Sequence, residues 1–208
     1  MRRLPPGGAA PPGALAAWVL ELAPAPALPG GPLVVAVDGR SGAGKSTLAH
    51  SLAGAISSGG ADAVVVHLDD LYPGWNGLDR VVPVVVEHVL APLAGAGPVV
   101  VPSWDWDADV PGPSCAFPAL GPPRPRVVLL EGAGSGARAT AAWLAGLIWV
   151  DADPQVRRRR ALGRDGATYA PHWDRWSAQE EAYAAREQPR ERAGLVLDAT
   201  GEVPIVIR

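Results

Sequence analysis

The 208-residue sequence holds one cysteine, one methionine, one phenylalanine and, at position 45, a single lysine. One cysteine, Cys115, excludes a disulfide within the chain and suits a reducing compartment, so a cytoplasmic location is expected. No apolar run approaches the ~20 residues that span a bilayer, and prolines interrupt the segment after Arg2 and Arg3, which argues against a signal peptide or membrane anchor. Excess positive charge is missing too. The net charge of −3 implies no general affinity for nucleic acid. His67, His88 and His172 have no metal-ligand spacing with Cys115, so no structural zinc is expected.

Glycine (25) and proline (23) are abundant instead, a level that signals disorder when spread without pattern. Here they gather in the N-terminal segment, around 95–98 and at 111–125, and leave the apolar runs intact. They therefore read as the loops of one folded domain. Residues 1–30 form an N-terminal extension: 1–12 is expected to be loose, and 14–23 carries Leu15, Trp18, Val19 and Leu22 at helical spacing. Residues 31–208 form the main domain.

The segment 33–51 organises that domain. An apolar strand runs into Gly39-Arg40-Ser41-Gly42-Ala43-Gly44-Lys45-Ser46, a full match to G-x-x-x-x-G-K-[ST], and then into Leu48, Leu52 and Ile56 at helical spacing. Strand, loop and helix are the context this phosphate-binding motif requires. Its glycines let successive backbone N–H groups turn onto phosphate oxygens, and the following helix adds the positive end of its dipole. Gly39, Ser41, Gly42, Ala43, Gly44, Lys45, Ser46 and Thr47 are thus the expected contacts to a nucleotide polyphosphate. Lys45 reaches its terminal phosphates, and the Ser46 hydroxyl ligates Mg²⁺.

Further strands are expected at 63–68, 126–131, 147–151 and 195–198, with a short edge strand at 203–207. Helices are expected at 83–93, 139–145, from 154, and at 177–188. This alternation predicts an α/β fold: a three-layer domain around a five-stranded, mainly parallel sheet. Ligands bind beyond the carboxyl ends of such strands. Asp69 or Asp70, just past the second strand, is placed to act as a base for an acceptor hydroxyl or to cap the next turn. Glu131 ends the next strand, where a carboxylate supports Mg²⁺. Arg157, Arg160 and Arg164 lie three or four apart on one helix face and form a candidate lid over about 157–176. Tyr72, Trp75, Trp104 and Trp106 alternate with Asp69, Asp70, Asp105 and Asp107 in loops, which suits a planar or sugar-like acceptor.

With these residues in place, the sequence resembles the uridine kinase and phosphoribulokinase branch of P-loop kinases over roughly 33–200. Leu68-Asp69-Asp70-Leu71-Tyr72 is similar to that family's Asp-x-Phe-Tyr, and Pro102-Ser103-Trp104-Asp105-Trp106 to its Pro-x-Tyr-Asp-Phe. Leu130-Glu131-Gly132 matches its Glu-Gly, and 151–165 its arginine lid. The resemblance implies an ATP- and Mg²⁺-dependent kinase that phosphorylates a hydroxyl of a small molecule, with a nucleoside as one acceptor. It implies Asp69 as base, Tyr72 against the acceptor, Trp104 and Trp106 as nucleoside contacts, and Gln179 as a further acceptor contact. Trp replaces Tyr and Phe at 104 and 106, Ala108-Asp109-Val110-Pro111 stands where the family has His-Ser-Arg, and 166–169 lacks its Arg-Gly-Arg. All three departures fall on the acceptor side. Two other readings remain: a nucleoside monophosphate kinase gripping the acceptor phosphate with Arg80, Arg124, Arg126 or Arg138, and a nucleotide-binding regulator that hydrolyses ATP slowly.

Overall fold

A computed structural model describes residues 4–95, 97–106 and 108–208; Ala96, Asp107 and the first three residues lie outside the described residues. The sheet strands are β1 (Leu33–Asp38), β2 (Ala63–His67), β3 (Val127–Glu131), β4 (Gly146–Asp151), β5 (Leu195–Asp198) and β6 (Ile205–Val206), in the order β6-β5-β4-β1-β3-β2. All pairings are parallel except β5 with β6. The fold is α/β, as expected, with the edge strand bringing the sheet to six.

Side-chain alternation sends each strand into two cores. Leu33, Val35 and Val37 of β1 face a layer formed by α1 (Pro12–Leu20) and α2 (Lys45–Ser58). Val34 faces the opposite layer, with α3 (Leu78–Val85), part of α4 (Pro154–Tyr169) and α5 (Trp173–Glu187). Asp38, the last residue of that parity after Ala36, therefore ends β1 pointing toward α5. Glu131 and His67 have the other parity and end their strands on the α2 side.

Three expectations change. Residues 7–10 of the N-terminal segment are not loose: Gly7 N–H donates to the Val206 carbonyl at 2.7 Å and Ala10 N–H to that of Pro204 at 2.8 Å, so these residues cover the edge of β6. Pairing of an exposed strand edge outweighs the local effect of the prolines. The third helix starts at Leu78 rather than Pro83, because Leu78, Val81 and Val85 form its buried stripe while Pro83 faces solvent; it continues as a π-turn over Val86–Leu90. Finally, 139–145 is not an α-helix but tight 3₁₀ turns over Arg138–Trp143, where the Thr140 hydroxyl takes up the carbonyls of Ser135 and Ala137, both at 2.8 Å. Among the described residues no helix is long and apolar enough to cross a membrane.

Candidate active site

A cleft of about 540 Å³ opens at the carboxyl ends of β1, β2 and β3. Ser41, Gly42, Lys45 and Ser46 of the loop line it together with Asp69, Glu131 and Arg164, and Tyr72, Trp75, Trp106, Tyr169 and Trp176 supply an aromatic wall. Residues from six separate stretches of sequence thus meet around one space.

The loop's glycines are dictated twice over. Gly42 and Gly44 have φ of +76° and +99°, and a methyl group on Gly42 would run into the Arg157 carbonyl, so the loop is wedged against the first turns of α4. The first hydrogen bond of α2 is Leu48 N–H to the Gly44 carbonyl, at 3.0 Å. The amides of Lys45, Ser46 and Thr47 precede it and so remain as the donor cluster of a helix N-terminus. Lys45 Nζ lies back across the loop, 3.3 Å from the Arg40 carbonyl.

A buried carboxylate network fixes this loop from beneath. Asp38 has no exposed surface and accepts from Gly39 N–H (2.7 Å), Gly134 N–H (3.3 Å), Gly136 N–H (3.0 Å) and the Tyr183 hydroxyl (2.6 Å). Burial raises its pKa, and the Tyr183 and backbone hydrogen bonds oppose that rise. Glu180, one turn earlier on α5, accepts from the Ser41 amide at 2.7 Å, the Ser41 hydroxyl at 2.8 Å and the Trp176 indole at 3.1 Å. Sequence reasoning misses Asp38, Glu180 and Tyr183. A signal for two of them exists: Trp176, Glu180 and Tyr183 recur at helical spacing, which puts a carboxylate in the middle of an apolar stripe.

The catalytic candidates divide by position. Asp69 stands at the cleft mouth with its surface open, yet the surrounding walls desolvate it enough to raise its pKa, while Lys45 pulls the other way. Asp70 is exposed and does not line the cleft. Burial pushes Glu131 up, but His67, whose Nδ1 is 2.7 Å from Oε2, together with Lys45 and the Ser46 hydroxyl, brings it below its ordinary value. His67 is raised in turn, chiefly by that hydrogen bond. Of the three arginines expected to form a lid, only Arg164 lines the cleft. Arg157 is buried and donates to the Ser41 carbonyl at 3.3 Å; Arg160 holds the Ala199 and Thr200 carbonyls at 2.8 and 3.0 Å. These two fasten loops together.

On the acceptor side, Tyr72 donates to the Ala133 carbonyl at 2.8 Å and meets Trp176 edge-on at 4.8 Å. Trp75 is the hub of the wall: it stacks on His172 at 4.1 Å and meets Trp106 edge-on at 5.0 Å. Trp104 is turned away, its indole donating to Asp109 at 3.2 Å, and Gln179 holds the Trp75 carbonyl at 2.9 Å rather than lining the cleft. Thr47 is exposed on the first turn of α2. None of Arg80, Arg124, Arg126 and Arg138 lines the cleft; Arg124 is engaged by the carbonyls of Leu120, Pro92, Gly95 and Gly97.

Solved structures share this architecture. A possible uridine kinase from Bacillus stearothermophilus is 19% identical with a TM-score of 0.62, the match covering 88% of this chain and 94% of that one. A proposed fructose transport system kinase from Silicibacter sp. TM1040 is 25% identical at TM-score 0.59, with the same coverage. The fold is that of the uridine kinase and phosphoribulokinase branch of P-loop kinases. A D-glycerate 3-kinase from Cryptococcus neoformans var. grubii serotype A also aligns over 93% of this chain and 96% of its own, at 14% identity and TM-score 0.52. No protein-family model and no curated protein matches the sequence.

Among the described residues no three His, Cys, Asp or Glu side chains converge as a self-sufficient metal site. A P-loop kinase fold does not call for one. Mg²⁺ typically takes one or two protein oxygens and completes its shell with phosphate oxygens and water. The Ser46 hydroxyl beside an anionic Glu131 fits that hard, oxygen-only donor set.

Proposed function

We propose that the protein is an ATP- and Mg²⁺-dependent phosphotransferase acting on a hydroxyl of a small molecule, a nucleoside or similar ring-bearing alcohol. The observation that carries this reading is the meeting of Lys45, Ser46, Glu131, Asp69 and Arg164 in one cleft against an aromatic wall. Phosphoryl transfer asks the protein mainly for placement and for neutralisation of charge on the moving group. Lys45 and the first amides of α2 bind the donor's terminal phosphates, and Arg164 meets them from the opposite wall as the lid residue. Ser46 and Glu131 would hold Mg²⁺, which when bound would supply neutralisation of phosphate charge. Asp69 accepts the proton of the acceptor hydroxyl as the new O–P bond forms and the bond from the γ-phosphorus to the β,γ-bridging oxygen breaks, releasing ADP. Trp75, Trp106 and Tyr72 hold the acceptor's ring by stacking and edge contact and keep water from the reacting oxygen. The wall's apolar faces and the absence of Arg80, Arg124, Arg126 and Arg138 from the cleft favour an uncharged alcohol over a nucleoside monophosphate.

Purified protein, ATP and Mg²⁺ screened against nucleosides, sugars and nucleoside monophosphates decide the matter. ADP release stimulated by a neutral alcohol is the expected result. Turnover with monophosphates alone, or ATP hydrolysis that no acceptor stimulates, overturns the proposal.

A further inference from the structure

The turn of α5 from Trp176 to Glu180 touches both halves of the cleft. Glu180 is 2% exposed and does not line the cleft, yet its Oε1 accepts three hydrogen bonds: from the Ser41 amide at 2.7 Å, the Ser41 hydroxyl at 2.8 Å and the Trp176 indole at 3.1 Å. Two of these donors belong to the phosphate loop and the third to the aromatic wall. Gln179, the residue before it, holds the Trp75 carbonyl at 2.9 Å, so the hub of the wall is tied to the same turn.

Ser41 is gripped at every polar atom. Glu180 takes its N–H and hydroxyl, and Arg157 of α4 donates to its carbonyl at 3.3 Å. Gly42 follows at φ +76°, close against the Arg157 carbonyl, so the loop is seated on α4 there. On the other side of Glu180, Trp176 meets Tyr72 edge-on at 4.8 Å and Trp75 edge-on at 6.5 Å. One buried oxygen thus stands between the loop and the rings of the wall. Hydrogen bonds to a carboxylate are stronger than those between neutral groups, and a loop held by them is formed before any nucleotide arrives. Phosphoryl transfer leaves the protein mainly the task of placement, and a misplacement of about 1 Å costs about a hundredfold in rate.

We propose that Glu180 is a positioning residue for phosphoryl transfer: through Oε1 it holds the phosphate loop and the acceptor wall in fixed register. It acts through Ser41 and Trp176, since its own side chain is closed off from the cleft. The proposal rests on the kinase reading for what occupies each half. Phosphate entering the loop is then felt at the Trp176 indole by way of the shared oxygen.

The test uses the β,γ-imido analogue of ATP with Mg²⁺ as probe. Its affinity is measured by calorimetry, and the Trp176 indole, assigned from triple-resonance spectra, is followed in ¹H–¹⁵N spectra of the native chain, Glu180→Ala and Glu180→Gln. Glu180→Ala should bind the analogue about tenfold more weakly, as for one lost bond to a charged group, and should lose the Trp176 indole response that the native protein shows. Glu180→Gln keeps an acceptor oxygen at the same reach, so it should stay within about threefold of native affinity and retain the response. A carboxylate that only stabilises the fold would lower the unfolding midpoint and leave both readouts alone, and that result overturns the proposal. So does a Trp176 indole that is silent in the native protein or responds equally in Glu180→Ala, and so does a Glu180→Gln protein no better than Glu180→Ala. If Glu180→Ala does not fold, Glu180→Asp replaces it under the same criteria, keeping the charge and shortening the reach by one methylene. Failure of the native protein to bind the analogue defeats the kinase reading and this proposal together; binding that no Glu180 variant alters defeats this proposal alone.

Discussion

Asp69 and Asp70 are neighbours in sequence and look equivalent there, but only Asp69 lines the cleft with Lys45 and Glu131. Asp69→Asn should therefore lower kcat by about two to four orders of magnitude, the contribution of a positioned base, while Asp70→Asn stays within a few fold. Because desolvation raises Asp69, the acid limb of kcat/KM should fall above the ordinary aspartate value of about 3.9. Equal losses from both substitutions, measured with saturating ATP, would remove Asp69 from its role. The His67–Glu131 pair carries its own pH signature. His67 is raised in the fold, so its contribution to stability is complete below about 6.5 and lost as pH climbs through the raised value. Glu131 is lowered, so its share is present above about 4.3 and lost as pH falls through the lowered value. Denaturation midpoints of the native protein and His67→Gln should converge as pH rises past the folded His67 value; a constant gap would show that the pair does not titrate as described.

At the scale of elements, α5 matters more than its sequence announces. Expected to begin at 177, it begins at Trp173, and through Glu180 and Tyr183 it holds both the first turn of the phosphate loop and the end of β1. Tyr183→Phe keeps the ring in the core and removes a hydrogen bond to a buried carboxylate. Thermal and denaturant unfolding should register a loss of about 1.5–3 kcal/mol, as for a hydrogen bond to a charged group. A change within error would mean Asp38 is satisfied by its three amides alone. The strands are legible in the sequence because short continuous apolar runs such as 63–66 and 127–130 suit a sheet buried between two helical layers. The phosphate loop is legible because its residue types answer to the ligand's shape. Whatever depends on another element's approach escapes. The arginines of α4 look alike in sequence, yet Arg157 and Arg160 hold the carbonyls of Ser41, Ala199 and Thr200 while Arg164 lines the cleft. Trp104 and Trp106 occupy matching places in one motif, and a single Asp109 carboxylate draws Trp104 aside.

Across the whole molecule, the helix of the N-terminal extension packs against the main domain. Leu15, Trp18 and Val19 of α1 lie in the same core as Leu48, Leu52 and Ile56 of α2. Exposing three large side chains costs about 5–9 kcal/mol, comparable to the ~5–15 kcal/mol stability of an entire domain. A chain starting at residue 31 should therefore lose cooperative unfolding by circular dichroism; a sharp transition near the native midpoint would show that 31–208 folds without the extension. The molecule has one lysine, and it stands in the cleft. Reagents that acylate primary amines consequently find a single ε-amine besides the chain's own α-amine. ATP should shield it, and the drop in mass-tagged peptide spanning Lys45 would read out nucleotide occupancy directly, with no engineered label.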